Sequence, residues 1–328
     1  MRLEDLRGQP AAVKLFRRAL ESGRLAHAYL LVGPEGTGKA TAVRALVAEL
    51  FCETGGACGN CRACRKLQRG THPDFLVLSR EGEKISIARV REAERFLRHA
   101  PLEAPAKVIL VEEAERLTPE AANALLKSLE EPPPYAHFFL TALSTERLLP
   151  TIVSRSQVVR FRPLSPETLE ELLRERFALS EEEARALALL SEGSPGRALQ
   201  FSKVGLLEGL HRLVAAARSK DPGRRLRTVE DLAGRKDHLP DLLFLLRLWL
   251  WYSFLARRKL TQYPPGLPSP APEAGALQLA EEVERIRQDL ENYANVELSL
   301  LYLLFRLSEA WSGALSDGST LPRHRADT

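Results

Sequence analysis

The chain has 328 residues, 45% of them hydrophobic and 27% charged, with a net charge of +4. That apolar fraction excludes a mainly disordered chain, and the length predicts two or three domains at ~100–200 residues each. Residues 1–161 carry 24 Lys/Arg against 19 Asp/Glu and the remainder 23 against 24, a bias that permits a nucleic-acid-facing surface without requiring one.

No apolar leader opens the chain, so no signal peptide is expected. The first predicted element is the strand Tyr29–Val32, followed by Gly33-Pro34-Glu35-Gly36-Thr37-Gly38-Lys39-Ala40. This is G-x-x-x-x-G-K placed between a strand and a helix, the context of a phosphate loop. Gly33, Gly36 and Gly38 let backbone N–H groups turn toward phosphate oxygens, and Lys39 supplies positive charge. The next position normally offers a hydroxyl to Mg²⁺. Ala40 has none, and Thr41 lies about 100° further round the helix. Val43, Leu46, Val47, Leu50 and Phe51 then mark one helical face.

Cys52, Cys58, Cys61 and Cys64 follow as C-x5-C-x2-C-x2-C. They are too local for a secreted disulfide framework. Four thiolates at this spacing can close a tetrahedral Zn²⁺ site of structural type, with Gly55, Gly56 and Gly59 supplying backbone freedom. An iron–sulfur cluster is the rival, but the ferredoxin-type C-x3-C-P ending is missing. Arg62, Arg65, Lys66 and Arg69 can offset the charge of such a centre. His72 reads as a loop residue rather than a fifth ligand.

Phe75–Leu78 is the second predicted strand, and Val90, Ala93, Phe96 and Leu97 mark a helix. Val108–Val111 is a third strand, buried on both faces, ending in Glu112-Glu113. Acidic residues there are the arrangement that orients Mg²⁺ and polarises an attacking water. Glu112 stands where Asp is usual. One extra C–C bond moves a carboxylate by ~1.5 Å, and errors of ~1 Å can cost about 100-fold in rate. Together with Ala40 this weakens catalysis and leaves open whether ATP and Mg²⁺ are held without hydrolysis.

Ala121–Leu129 is a helix stopped by Pro132-Pro133-Pro134, and His137–Ala142 and Gln157–Phe161 are further strands. Strands alternating with helices predict a mostly parallel sheet covered on both sides, an α/β architecture. Between the last two strands, Thr151-Ile152-Val153-Ser154-Arg155-Ser156 presents Arg155, whose guanidinium suits contact with a phosphate. A surface Arg paired on its own domain is the alternative.

After Ser165 the strands stop. Ser180-Glu181-Glu182-Glu183 is a capping-box pattern, and a small helical unit is predicted over 163–203. An all-helical domain is expected over 204–312, interrupted by an exposed Pro-rich loop at Tyr263–Pro272. The apolar run Leu242–Leu255 is broken by Arg247 and falls short of the ~20 residues of a membrane span, so no membrane and a cytoplasmic location are expected. Residues 313–328 are expected to be a disordered tail.

These elements together resemble the AAA+ clamp-loader subunits of bacterial DNA polymerase III. The carrying residues are Gly33–Ala40, the four-cysteine insertion, Glu112-Glu113-Ala114, Asn123-Ala124-Leu125-Leu126-Lys127-Ser128-Leu129-Glu130-Glu131-Pro132-Pro133 and Thr151–Ser156. Motor subunits of the gamma/tau type carry Ser or Thr after the phosphate-loop Lys, Asp-Glu at the strand end, and Arg where this chain has Gly196. The departures at Ala40, Glu112 and Gly196 favour a non-motor subunit.

The resemblance implies an AAA+ P-loop domain over 1–162 with its zinc insertion at 52–64, a helical lid and an all-α collar. It implies a structural subunit of a ring that uses ATP to open the sliding clamp and place it on primer–template DNA. Gamma/tau motor subunits and a delta subunit would be the partners within the polymerase III holoenzyme, a DNA-directed DNA polymerase. Arg155 would act in trans at a neighbour's ATP site. Alternatives are a gamma/tau-type motor ATPase and a zinc-bearing DNA-binding AAA+ protein.

Overall fold

The computed structural model describes residues 2–273, 275–291 and 295–312. Five apolar segments become strands: β1 (Ala28–Val32), β2 (Phe75–Leu78), β3 (Lys107–Val111), β4 (Ala136–Ala142) and β5 (Gln157–Arg160). They form one sheet in the order β2-β3-β4-β1-β5, with every neighbouring pair parallel. Helices α1 (Pro10–Glu21), α2 (Lys39–Phe51), α3 (Arg62–Gln68), α4 (Ile87–Leu97), α5 (Pro119–Glu130) and α6 (Pro150–Ser154) surround and connect them.

β1 and β3 are buried at every position, as a parallel sheet covered on both faces requires. Because successive side chains alternate, Leu30 and Val32 join one core with Ile109, Leu125 and Phe138. Tyr29 and Leu31 join the opposite core with Phe16, Leu46 and Phe139. There Tyr29 stacks on Phe139 at 5.1 Å and Phe16 meets Tyr29 edge-on. Each such side chain contributes about 1.5–3 kcal/mol by burial. The Pro stop at α5 is matched at its start, where Thr118 accepts from the Ala121 N–H and Pro119 fills the first helical position.

Asp74, fully buried, immediately precedes β2. Its carboxylate accepts from the N–H groups of Leu102, Glu103 and Ala104 at 2.8, 2.7 and 3.0 Å, and Lys107 Nζ lies 4.0 Å away. Burial raises its pKa, but the three N–H donors and Lys107 outweigh it and the net shift is downward. A depressed pKa means stability that is present above the unfolded value of about 3.9 and lost as pH falls through the lower folded value. Asp74→Asn is expected to destabilise the protein by about 3 kcal/mol. It should also flatten the acid side of the stability profile, as measured by denaturant unfolding between pH 3 and 7.

The chain divides into two units. The first holds residues up to Thr168 plus Gly193–Gly196; the second holds Leu169–Glu192 and the described residues from Arg197 onward. No strand follows β5 among the described residues. The helices there are α7 (Pro166–Phe177), α8 (Glu181–Leu190), α9 (Pro195–Lys203), α10 (Leu206–Arg218), α11 (Pro222–Ala233), α12 (Leu239–Arg257), α13 (Ala276–Glu291) and α14 (Val296–Ser312). Ser180 caps α8 by accepting from the Glu183 N–H. Half of the expected capping box is redirected, because the Glu183 carboxylate accepts from Ser202 Oγ at 3.1 Å.

Two expectations for this unit are corrected. The helical stretch Lys236–Arg257 reaches 22 residues and holds an 18-residue window of mean hydropathy 1.3, long and apolar enough by those measures to cross a membrane. Leu242, Leu243, Leu245, Leu246, Trp249 and Leu250 are buried within the unit, so the helix serves as its core. The Pro-rich segment is not a fully exposed loop. Pro264, Leu267, Pro268 and Ala271 are buried, and the Trp249 indole N–H, buried in α12, donates to Tyr263 Oη and the Pro268 carbonyl. A buried indole N–H needs an acceptor, and this loop supplies it. The expected tail at 313–328 lies outside the described residues.

Candidate nucleotide site and metal centre

The phosphate loop joins β1 to α2 as its sequence predicts. Gly36 and Gly38 adopt φ of +71° and +93°, values that disfavour other residues. A Cβ on Gly33 would sit 2.3 Å from the Phe161 carbonyl oxygen, so the loop's entry is also sterically reserved for glycine. Lys39 turns back onto its own loop, with Nζ donating to the carbonyls of Gly33 at 2.6 Å and Pro34 at 2.7 Å. Burial lowers the Lys39 pKa, opposed by the charges of Glu115, Glu35 and Glu113. Thr37, buried, donates to the Pro34 carbonyl, which keeps the loop closed on itself. Thr41 is exposed.

Both carboxylates at the end of β3 are tied to arginines. Glu112 Oε1 accepts from Arg44 on α2 at 2.8 Å. Glu113 lies 3.5 Å from Arg80 and 3.8 Å from Arg116. The Glu113 backbone is left-handed, with φ of +52°, and its N–H donates to the buried Thr141 Oγ1 at 3.0 Å. A non-glycine residue in that region is held there by its surroundings. Seating Mg²⁺ on these carboxylates requires breaking their arginine pairs, and no hydroxyl stands at position 40 to complete the metal's shell.

The segment Gly193–Gly196 lies directly on the phosphate loop. The Gly196 N–H donates to the Gly36 carbonyl at 2.9 Å, and Ser194 Oγ donates to the Glu35 carbonyl at 2.9 Å. A Cβ on Gly196 would lie 2.8 Å from Gly36 Cα. The contact is backbone on backbone, and no side chain at position 196 fits it. Gly196→Ala is therefore expected to destabilise the protein by about 1–3 kcal/mol through overpacking, seen as a lower midpoint in thermal unfolding.

Arg155 caps the C-terminal end of α6. Its guanidinium pairs with Glu130 at 2.7 Å and donates to the Thr151 carbonyl at 3.1 Å, with 35% of the side chain exposed. Its partner Glu130 is the last residue of α5, so the family-like Leu-Glu-Glu-Pro-Pro segment and the arginine segment meet here.

The four cysteine sulfurs lie within 4.8 Å of one another. A tetrahedral Zn²⁺ with Zn–S of ~2.3 Å separates its sulfurs by about 3.8 Å, so a small contraction seats the ion. Cys52 closes α2 and Cys61 caps α3. Gly55, Gly56 and Gly59 all take positive φ. The N–H groups of Cys58, Cys61 and Cys64 point at the sulfurs of Cys52, Cys58 and Cys61 at 3.3–3.4 Å, a geometry that stabilises thiolates. A hydrogen bond from Thr54 leads the effects that lower Cys58 to about 6, while burial pushes Cys64 up to about 12. The cluster is capable of coordinating a metal ion, and its all-sulfur, closed donor set fits a structural Zn²⁺.

Two of the four basic residues nearby are committed elsewhere: Lys66 and Arg62 pair with Glu103 at 2.5 and 3.6 Å. His72 is buried against Phe51 and accepts the Asp74 N–H. It stands outside the sulfur cluster. The residues that sequence reading missed are Arg44, Arg80, Arg116 and Ser194. Arg44 lies 68 positions from its partner and Ser194 lies 159 positions from its own, so no local pattern pointed to them.

The family described as "DNA polymerase III, delta subunit" matches residues 8–165. DNA polymerase III subunit delta′ of Bacillus subtilis is 38% identical over 182 residues, covering 55% of this chain and 55% of that protein. The Escherichia coli delta′ subunit is 40% identical over 185 residues, again covering 55% of each. The E. coli tau subunit is 32% identical over 213 residues, covering 62% of this chain and 33% of that one. Among solved structures, a DNA polymerase III gamma subunit-related protein from Thermotoga maritima shares the fold, with a TM-score of 0.52 and 22% identity over 90% of this chain and 99% of that one. The matches span 55–62% of the length of the curated delta′ relatives. With the parallel sheet, phosphate loop and following helices already in place, the chain is a homologue of the DNA polymerase III delta′ subunits over the matched part of its length.

Proposed function

We propose that this chain is a structural, non-hydrolysing subunit of a DNA polymerase III clamp-loader complex. The observation that carries the reading is the state of its phosphate site. Glu112 and Glu113 are paired with arginines, and Gly196 sits against Gly36. Each feature opposes Mg²⁺-dependent turnover, and Ala40 removes a metal ligand outright. The identity to delta′ subunits supports the same role.

The finer reading follows from that role. Residues 1–162 form the AAA+ domain, 163–203 a lid and 204–312 a collar that holds a ring with gamma/tau motor subunits and a delta subunit. The ring loads the sliding clamp onto primer–template DNA in the cytoplasm. Zn²⁺ on Cys52, Cys58, Cys61 and Cys64 is structural: it ties the end of α2 to the start of α3 and takes no part in phosphate chemistry. Arg155 leaves Glu130 to reach the γ-phosphate in a neighbouring motor subunit. Its charge is permanent and its donors are planar, which suits an arginine finger.

The test is reconstitution with gamma/tau and delta subunits, with assembly and ATPase measured in parallel. The role predicts a stable complex whose ATPase depends on this chain although the chain alone has none. Assembly without this chain, at undiminished ATPase, would exclude it.

A further inference from the structure

A cluster of arginines in the helical unit is unrelated to the phosphate loop and has no part in the role proposed above. From Arg218 to Arg227 the sequence carries five basic residues against one acid, Asp221, within a half of the chain that is otherwise slightly acidic. Arg225 is taken up structurally, donating to the Ser219 carbonyl and to Ser308 Oγ. The rest is available to solvent. Arg212 from α10 and Arg224, Arg227, Thr228, Asp231 and Leu232 from α11 line a cavity of about 160 Å³.

The charges in this cavity do not cancel. Asp231 is the sole acid in its wall, and it is shared between Arg212 at 2.8 Å and Arg235 at 3.8 Å. Arg227 has a 3.5 Å pair with the exposed Asp221 outside the wall. Arg224 makes no ion pair among the described residues. Arg212 Nε is buried without an acceptor, a donor whose desolvation is uncompensated. Three guanidiniums from two helices therefore line one solvent-open pocket, with room for an oxyanion between them. Forked, permanently charged donors are the side chains best matched to such an oxyanion.

We infer that Arg212, Arg224 and Arg227 form a binding site for a phosphate group on the α10–α11 face, and that its physiological source is the phosphodiester backbone of a nucleic acid. The lining holds no aromatic side chain on which a base could stack, so the contact is with the backbone, insensitive to sequence and strongly dependent on salt.

The test uses the full chain and a fluorescent primer–template DNA, with anisotropy titrations from 50 to 200 mM salt. Arg224→Glu/Arg227→Glu, at two exposed positions, should weaken binding by about tenfold or more and make the log–log salt slope shallower by about two. Arg224→Lys/Arg227→Lys should retain most of it, and unchanged thermal unfolding of both variants separates binding from folding. Arg91→Glu/Arg95→Glu, at two exposed positions of α4, should leave this component intact. A second arm measures protection against thermal unfolding by inorganic phosphate and ATP. Protection that disappears in the Glu double variant, without DNA binding, keeps the phosphate site but overturns the nucleic-acid source. Equal DNA affinity and salt slope in wild type and the Glu double variant, with no phosphate protection in either, overturns the site.

Discussion

Arg155→Ala is expected to lower turnover at the adjacent motor site by about 10³-fold, the low end of what an arginine finger contributes to phosphoryl transfer. The measurement needs a complex in which only that motor site is competent, the others having lost their phosphate-loop lysines. Assembly should be unaffected, because among the described residues the Arg155 guanidinium pairs with Glu130 and the Thr151 carbonyl alone, near the surface. Such an exposed pair is worth little to folding. Glu130→Ala provides the complementary variant: it frees Arg155 without removing it and should leave turnover within a few-fold of wild type. Equal losses in both variants would mean that the Arg155–Glu130 pair acts by shaping the α5–α6 region and that no trans contact exists.

Loss of the proposed zinc is expected to be the second large effect. The purified chain should carry about one equivalent of zinc. Cys61→Ser, which removes a ligand and the side-chain cap of α3, should drop it below half an equivalent. Loss of a structural metal is among the few single changes that cost about 4 kcal/mol or more, or roughly 10 °C in Tm for a unit of this size. The loss should be local. Circular dichroism should report the disappearance of α3, while the sheet persists on its two apolar cores. Because each ligand must shed its proton to bind the ion, and burial holds the Cys64 proton tightly, zinc should be released as pH falls. Full zinc occupancy in Cys61→Ser would contradict the four-thiolate assignment.

The sheet was legible in the sequence because its strands are short, apolar and bounded by turn residues. Phe75–Leu78 is predicted and found with the same limits, and the others shift by a residue at most at either end. The four cysteines were legible because metal ligands cluster locally. The degeneracy of the phosphate site was half legible. Ala40 and Glu112 announce it by residue type, whereas the arginines that pair with Glu112 and Glu113 come from α2 and from the loops flanking β2 and β3. Only the sheet brings them together.

Gly196 is the instructive case. Its departure from the motor-subunit pattern is visible in the sequence, but the reason for it is steric and long-range: its Cα lies against Gly36. The Pro-rich segment failed in the opposite sense. Proline-rich composition reads as an exposed loop, yet the unmet indole N–H of Trp249 and the apolar side chains of Leu267 and Ala271 draw it into the core. Composition reports local chain preference, and here tertiary demand for an acceptor overrode it.

Whether the proposed non-hydrolysing role holds is read from steady-state ATPase of the purified chain with Mg²⁺, alone and with Ala40→Thr. No turnover above background is expected in either, since a hydroxyl at position 40 leaves the Arg44–Glu112 pair and the Gly196–Gly36 contact in place. Robust Mg²⁺-dependent turnover by the unmodified chain, abolished by Lys39→Ala, would contradict it and identify a motor subunit instead.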